Sequence, residues 1–445
     1  MKNALKFNFL AALLYALLFI MTLDNTIALR NLLIVTIAFV LFWQSKSLIF
    51  YTKKIASNFE IYSALKTLLF FTLFVFLHSI FLSIDMQWSI NEWRSQLVYP
   101  VIYCFIGIIL TIHLVDKKRL CLKTFLTSIF IVLFLHVIYI DLNSLDVIMH
   151  SEYTRAFRNP GLMLSPTTAN YISISLLSFI LAEYAYRFLQ NKTFMRFSNG
   201  YLHFILFATL ASIIFQSVRM GQLEAALLGF MFVFILYYGR SNPRKRNSIF
   251  MMIFLLIFSL PLVFSLATDN RWSRLVSTIE VSLDNNKSDY WINQEEPQPL
   301  DTSGEGTSAS NYLRISWFYN GVIFFVDRPL GYGFGRHSFG RALNMNIDHY
   351  NKIPTGQTSH NGFIDLLLGV GIGIFIWLYF NYQIIRYCLR RIKKTPNFPT
   401  LLLLFFLLSF LLRFFLDANM RDHMFLQFMI IFGIILGSLY VTKES

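Results

Sequence analysis

Apolar residues in this chain run in blocks of roughly 17–25, the length that crosses about 30 Å of hydrocarbon as a helix. Twelve such blocks are read near 7–23, 29–44, 64–82, 97–115, 121–140, 169–187, 201–216, 221–239, 248–267, 361–382, 399–416 and 423–441. The seventh and eighth are expected to form a tight hairpin. Only 14% of the residues are charged and 56% are hydrophobic, whereas soluble domains carry about 25% charge. The predicted fold is an all-α polytopic integral membrane protein with about 12 transmembrane helices and one large loop between spans 9 and 10. The expected organisation is spans 1–9 over 1–267, the loop over 268–360, and spans 10–12 over 361–445. The first block follows Lys2 and Lys6, exceeds a signal-peptide apolar region and is expected to be a retained span. Cys104, Cys121 and Cys388 lie in or beside apolar blocks, with no disulfide or metal spacing.

Charge sets the expected orientation. With the N-terminus inside, 22 basic residues fall on the inner side and six in the outer connections other than the 268–360 loop. By the positive-inside rule both termini are then cytoplasmic. The net charge of +14 is mostly this topology signal and does not point to nucleic acid. Two outer segments are long, about 141–168 and 268–360. The polar stretch from Asp284 to Asn311 is expected to be flexible. Residues 313–326 read as an amphipathic helix near the membrane–water interface, and DRPLGYGFG as a tight irregular turn.

The outer side holds 12 Arg but two Lys, Lys287 and Lys352. Topology does not select arginine over lysine. Arginine's rigid fork binds phosphate or carboxylate at two points, so a cavity gripping a phosphorylated ligand would explain the bias; so would contacts with lipid headgroups. Arg219, in FQSVRMGQLEA, sits between two spans with almost no loop, where a charge needs a partner or a wet cavity unless it snorkels. Arg314 opens the amphipathic helix. Arg158 lies in TRAFRNPGLMLSPTTANY, directly before a span. His360 is expected in the first turn of the tenth span, where the helix amides disfavour imidazolium and a neutral imidazole is free to take a proton from a hydroxyl. Gly369, Gly371 and Gly373 behind it would let that helix pack closely. P-loop, HExxH and paired acidic metal motifs are absent. Few acidic residues stand near the outer Arg and His candidates in sequence, which suggests a metal-independent mechanism without a cofactor.

Three elements in this order carry a resemblance: QSVRMGQ with Arg219, NYLRISWFYNGVIFFVDRPLGYGFGRHSF with Arg314, and TSHNGFIDLLLGVGIGIFI with His360. The chain resembles the O-antigen ligase family, within the superfamily that also holds O-antigen polymerases and bacterial protein O-oligosaccharyltransferases. The likeness covers the topology of the whole chain and is specific from about 205 to 380. It implies a multi-pass inner-membrane glycosyltransferase of a Gram-negative bacterium with a periplasmic active site. The implied donor is a glycan on undecaprenyl-type diphosphate, and the implied acceptor is a sugar of lipid A–core. Carried onto this sequence, Arg219 and Arg314 would bind the diphosphate and stabilise it as leaving group, and His360 would orient or deprotonate the acceptor hydroxyl. Arg158 is a second candidate for the same anion, and Asn361, Gln357 and Arg336 are second-tier site residues.

The nearest rival is an O-antigen polymerase, whose acceptor is another lipid-linked repeat. Polymerases often have two comparably Arg-rich outer loops, and here the 141–168 segment has only Arg155 and Arg158. A protein O-oligosaccharyltransferase has no large added domain to favour it. A non-enzymatic lipid-linked oligosaccharide flippase would line its path with charge, whereas the span interiors here are nearly free of it apart from Arg413 and a few residues near the ends.

Overall fold

A bilayer core offers no water to the backbone, so each apolar block satisfies its own amides as a helix. The computed structural model describes residues 9–21, 23, 25–44, 48–116, 120–150, 159–163, 165–239, 245–269, 272–284, 288–301, 304–347 and 357–441. Each of the twelve blocks holds a helix. Among the described residues, nine helices are long and apolar enough to cross a membrane, including Pro166–Gln190, Arg219–Tyr238, Phe398–Leu416 and Asp422–Val441. Phe9–Ile20, Asn199–Phe215 and Met252–Thr268 are shorter apolar helices. No named strand occurs among the described residues.

The last helix, Asp422–Val441, is almost wholly enclosed. It lies along Tyr99–Asp116 on a seam of small residues. A Cβ on Gly433 would meet the Cys104 carbonyl oxygen at 2.1 Å, and one on Gly107 the Ile430 carbonyl at 2.5 Å. Such backbone approach drives helix association where lipid is as apolar as the side chains. Ile27–Gln44 lies at the rim, with Leu32, Val35, Phe39 and Trp43 exposed.

Three expectations change. The helix Leu122–Met149 continues well beyond residue 140, so much of the first outer segment is helical. The 284–310 stretch, expected to be flexible, is tied down where it is described: the Trp317 indole donates to the Trp291 carbonyl at 2.8 Å and Ser277 donates to Asp301 at 3.0 Å. The loop helix spans Ala309–Asp327 and docks on protein. Tyr312, Ser316, Trp317, Asn320, Gly321 and Phe324 are buried, with Gly321 against Ile364. Its other face exposes Phe318, Tyr319, Val322, Ile323 and Val326, an apolar stripe suited to an interface.

The third change concerns the glycines after His360. They do not line a continuous helix. Gly362–Val370 ends at Gly371, a short 3-10 turn follows, and Ile374–Lys394 resumes. The turn after Asp327 enters this break. Tyr332 and Gly333 donate to the Leu368 and Gly369 carbonyls, and Ile372 donates to Pro329. Gly371 has φ +56°, and a Cβ there would meet the Pro329 carbonyl oxygen at 2.1 Å. Gly371→Ala is therefore expected to destabilise the protein by on the order of 2–4 kcal/mol, from backbone strain plus overpacking. An unchanged midpoint of thermal unfolding in detergent would refute this.

Candidate functional site

The connection between Asn199–Phe215 and Arg219–Tyr238 is three residues long and turns on Ser217, at φ +51°. This abrupt reversal puts Arg219 on the first turn of its helix. Its guanidinium is 8% exposed. It donates to Asn311 at 2.7 Å and to Ser310 at 3.4 Å, stands 3.7 Å from the Asp269 carboxylate and lies over the Trp272 ring. Asn311 and Ser310 belong to the loop helix, so that helix is pinned to the hairpin through Arg219. One turn along the same helix, Arg314 donates to the Leu416 carbonyl at 3.1 Å. Arg219, Arg314, Ser310, Thr167 and Asp417 line one cavity of about 120 Å³. Two residues 95 positions apart thus present their guanidiniums to the same space, with room for a small anion.

His360 precedes the helix and does not lie in its first turn. Asn361 is the cap, accepting from the Ile364 amide at 3.1 Å, and His360 is held at φ +53°. For a residue with a Cβ this costs about 1–2 kcal/mol. Ser359 helps to hold it, donating to the Asn361 carbonyl and accepting from the Asn361 amide. The imidazole stacks on Trp317, centroids 5.5 Å apart and planes 18° apart. Burial lowers its pKa below the ordinary 6.5, and Arg314 and then Arg421 push the same way against Asp417. The neutral form is thus favoured by desolvation and neighbouring charge, a cause different from the helix field expected above.

Residues 415–417 join these parts. Asn361 donates to the Phe415 carbonyl at 2.9 Å, Arg314 to Leu416, and the Gly362 amide to Asp417 at 3.2 Å. Beneath them lies a buried polar cluster. Arg413, 1% exposed, reaches Glu224 at 3.3 Å and Asp417 at 3.6 Å, and donates to Asn170 at 2.7 Å and to Thr167. Asn170 donates in turn to Gln216 at the hairpin. Gly221 permits this, since a Cβ there would strike the Asn170 amide. Burial alone would raise the Asp417 pKa, but Arg413 and Arg314 outweigh it and hold the carboxyl below its usual value.

The remaining sequence candidates separate. Arg158 lies outside the described residues. Arg336 is locked in ion pairs with Glu92 at 3.0 Å and Asp422 at 2.9 Å, which makes it a clamp between the turn and two membrane helices. Asn361 is occupied as the cap. Gln357 accepts from the Gly340 amide through its carbonyl, while its side-chain nitrogen is buried without a partner. Neither Gln357 nor Arg336 lines the arginine cavity. The sequence reading missed Asp269, Asp417 and Glu224, and its impression of few acidic neighbours is overturned: Asp269 reaches Arg219 and Asp417 reaches the Arg314 cavity from distant elements, while Glu224, on the helix of Arg219, pairs with Arg413. A signal existed for Glu224, an acid within a span, and for Asp417, four residues after Arg413.

No curated protein matches the chain. Residues 204–378 match the family described as O-antigen ligase. That stretch holds the hairpin arginine, the loop helix and His360 together, and its match supports a likeness to the O-antigen ligase superfamily over that part of the chain.

Proposed function

We propose that the protein is an O-antigen ligase. It moves a glycan from an undecaprenyl-type diphosphate donor to a sugar of lipid A–core at the periplasmic face of the inner membrane. The observation that carries this reading is the shared cavity of Arg219 and Arg314 on the segment that matches the family. The acceptor hydroxyl oxygen attacks the anomeric carbon, and its proton passes to His360. The bond from that carbon to the diphosphate oxygen breaks, and the lipid diphosphate leaves with the electron pair. Arg219 and Arg314 neutralise its charge in a site shielded from water, where such preorganised donors act most strongly. Trp317 fixes the imidazole plane, and low basicity keeps it in the proton-accepting form.

Two predictions follow from the histidine. His360→Ala should lower transfer by about 10²–10⁴-fold, the usual contribution of a positioned base, with membrane levels unchanged. Because the imidazole pKa is lowered, the neutral base survives acidification, and the acid limb of the rate profile should fall below pH 6.5, the ordinary histidine value. A limb at or above the ordinary value would contradict the role.

The reading itself is tested by deleting the gene in its host and examining both lipopolysaccharide and the lipid-linked pool. Core bare of any repeat, with polymer accumulating on the carrier, is the expected result. Core bearing one repeat would make the protein a polymerase instead. An unchanged ladder would redirect the reading to glycoproteins.

A further inference from the structure

At the end of the bundle opposite His360 lies a second cationic cavity, of about 320 Å³. It opens where the C-terminal end of Ile374–Lys394 meets the N-terminal end of Phe59–Phe81, and Arg390, Arg391, Lys394, Glu60, Phe59 and Tyr387 line it. Three cations face one anion. Glu60 is engaged by Arg390 at 3.0 Å, which leaves Arg391 and Lys394 in excess. The Arg391 guanidinium leans on the Tyr387 hydroxyl, yet its Nε is shielded from solvent with no hydrogen-bond partner. Asn58 caps the adjoining helix and also donates to Tyr387 at 3.3 Å, so the cavity wall is tied together. Phe59 is 74% exposed at the rim.

The charge rule for membrane proteins accounts for basic residues on this side. It does not account for their convergence on a cavity between two helix ends beside an exposed aromatic ring. Basic pockets of this kind at the ends of membrane helices suit phosphate headgroups, and arginine forks match phosphate oxygens.

We propose that this cavity binds the phosphodiester headgroup of an anionic phospholipid from the leaflet at that end. Arg391 and Lys394 hold the phosphate, and Phe59 packs against the acyl region. Nothing in this assignment depends on the transfer reaction.

The test is native mass spectrometry of the full chain released from nanodiscs of equal phosphatidylglycerol and phosphatidylcholine. Wild-type protein should retain phosphatidylglycerol preferentially. Arg391→Gln/Lys394→Gln should lower that retention about tenfold. Arg386→Gln/Lys393→Gln, at the same end but not lining the cavity, should leave it unchanged. Should the first variant fail to fold, Glu60→Gln serves independently, because removing the competing carboxylate should raise retention. Equal retention of both lipids by the wild type, equal loss in both double variants, or no gain in Glu60→Gln would overturn the assignment. Displacement of bound phosphatidylglycerol by millimolar inorganic phosphate would also overturn it, assigning the cavity to a free anion.

Discussion

Arg219→Ala is expected to reduce glycan transfer to core by about 10²–10³-fold, the usual cost of removing one preorganised donor from a developing anion. Membrane levels should stay near normal. Arg314→Ala is expected to fall in the same range, because both guanidiniums face one cavity. The double variant should lose little more than the worse single one, since groups that act as a unit are not additive. Arg219→Lys separates charge from geometry. It keeps a cation but cannot reproduce the fork that also donates to Asn311, so it should recover only part of the activity. Core-linked glycan per unit of membrane protein is the measurement. Wild-type transfer by Arg219→Ala would remove the residue from the reaction. Arg336→Ala is the contrast: its pairs with Glu92 and Asp422 make loss of stability the expected defect, with transfer persisting in the protein that remains folded.

Arg413→Leu should produce the largest loss of stability. It leaves Glu224 and Asp417 buried without the guanidinium that compensates them, and breaking a buried pair from one side costs about 3–5 kcal/mol. It also removes the donors to Asn170 and Thr167, which hold Phe398–Leu416 against Pro166–Gln190. Arg413→Leu/Glu224→Leu should recover part of the loss, because replacing both partners removes one stranded charge. Asp417 stays uncompensated from that side, so recovery should be incomplete. Thermal unfolding in detergent measures this, and a midpoint for Arg413→Leu equal to that of the wild type would show that the cluster carries no such energy.

The class of fold was legible because the bilayer imposes one rule on every residue of a span. Length and apolar character therefore marked all twelve helical segments locally, and Phe398–Leu416 needed no knowledge of its neighbours to be found. Arg219 was legible for a related reason: a charge between two abutting spans stands out against its surroundings. The glycines after His360 do permit close packing, as read, but the helix break among them was not legible, because a glycine's role depends on what approaches it. Only the docked turn shows that Gly371 breaks the helix to admit Pro329.

By itself the sequence determined the helical class, the placement of the apolar segments, and which arginines and which histidine stood at their edges. The tertiary structure alone decided that Arg219, Arg314 and Asp417 share a cavity, that Arg336 is spent in ion pairs, and that a buried Arg413 pairs with both Asp417 and Glu224. The physical reason is the range of the forces. Hydrophobic spanning is a property of consecutive residues. Compensation of a buried charge is a property of whichever groups the packed helices bring within about 4 Å, and here the partners come from segments up to 246 positions apart.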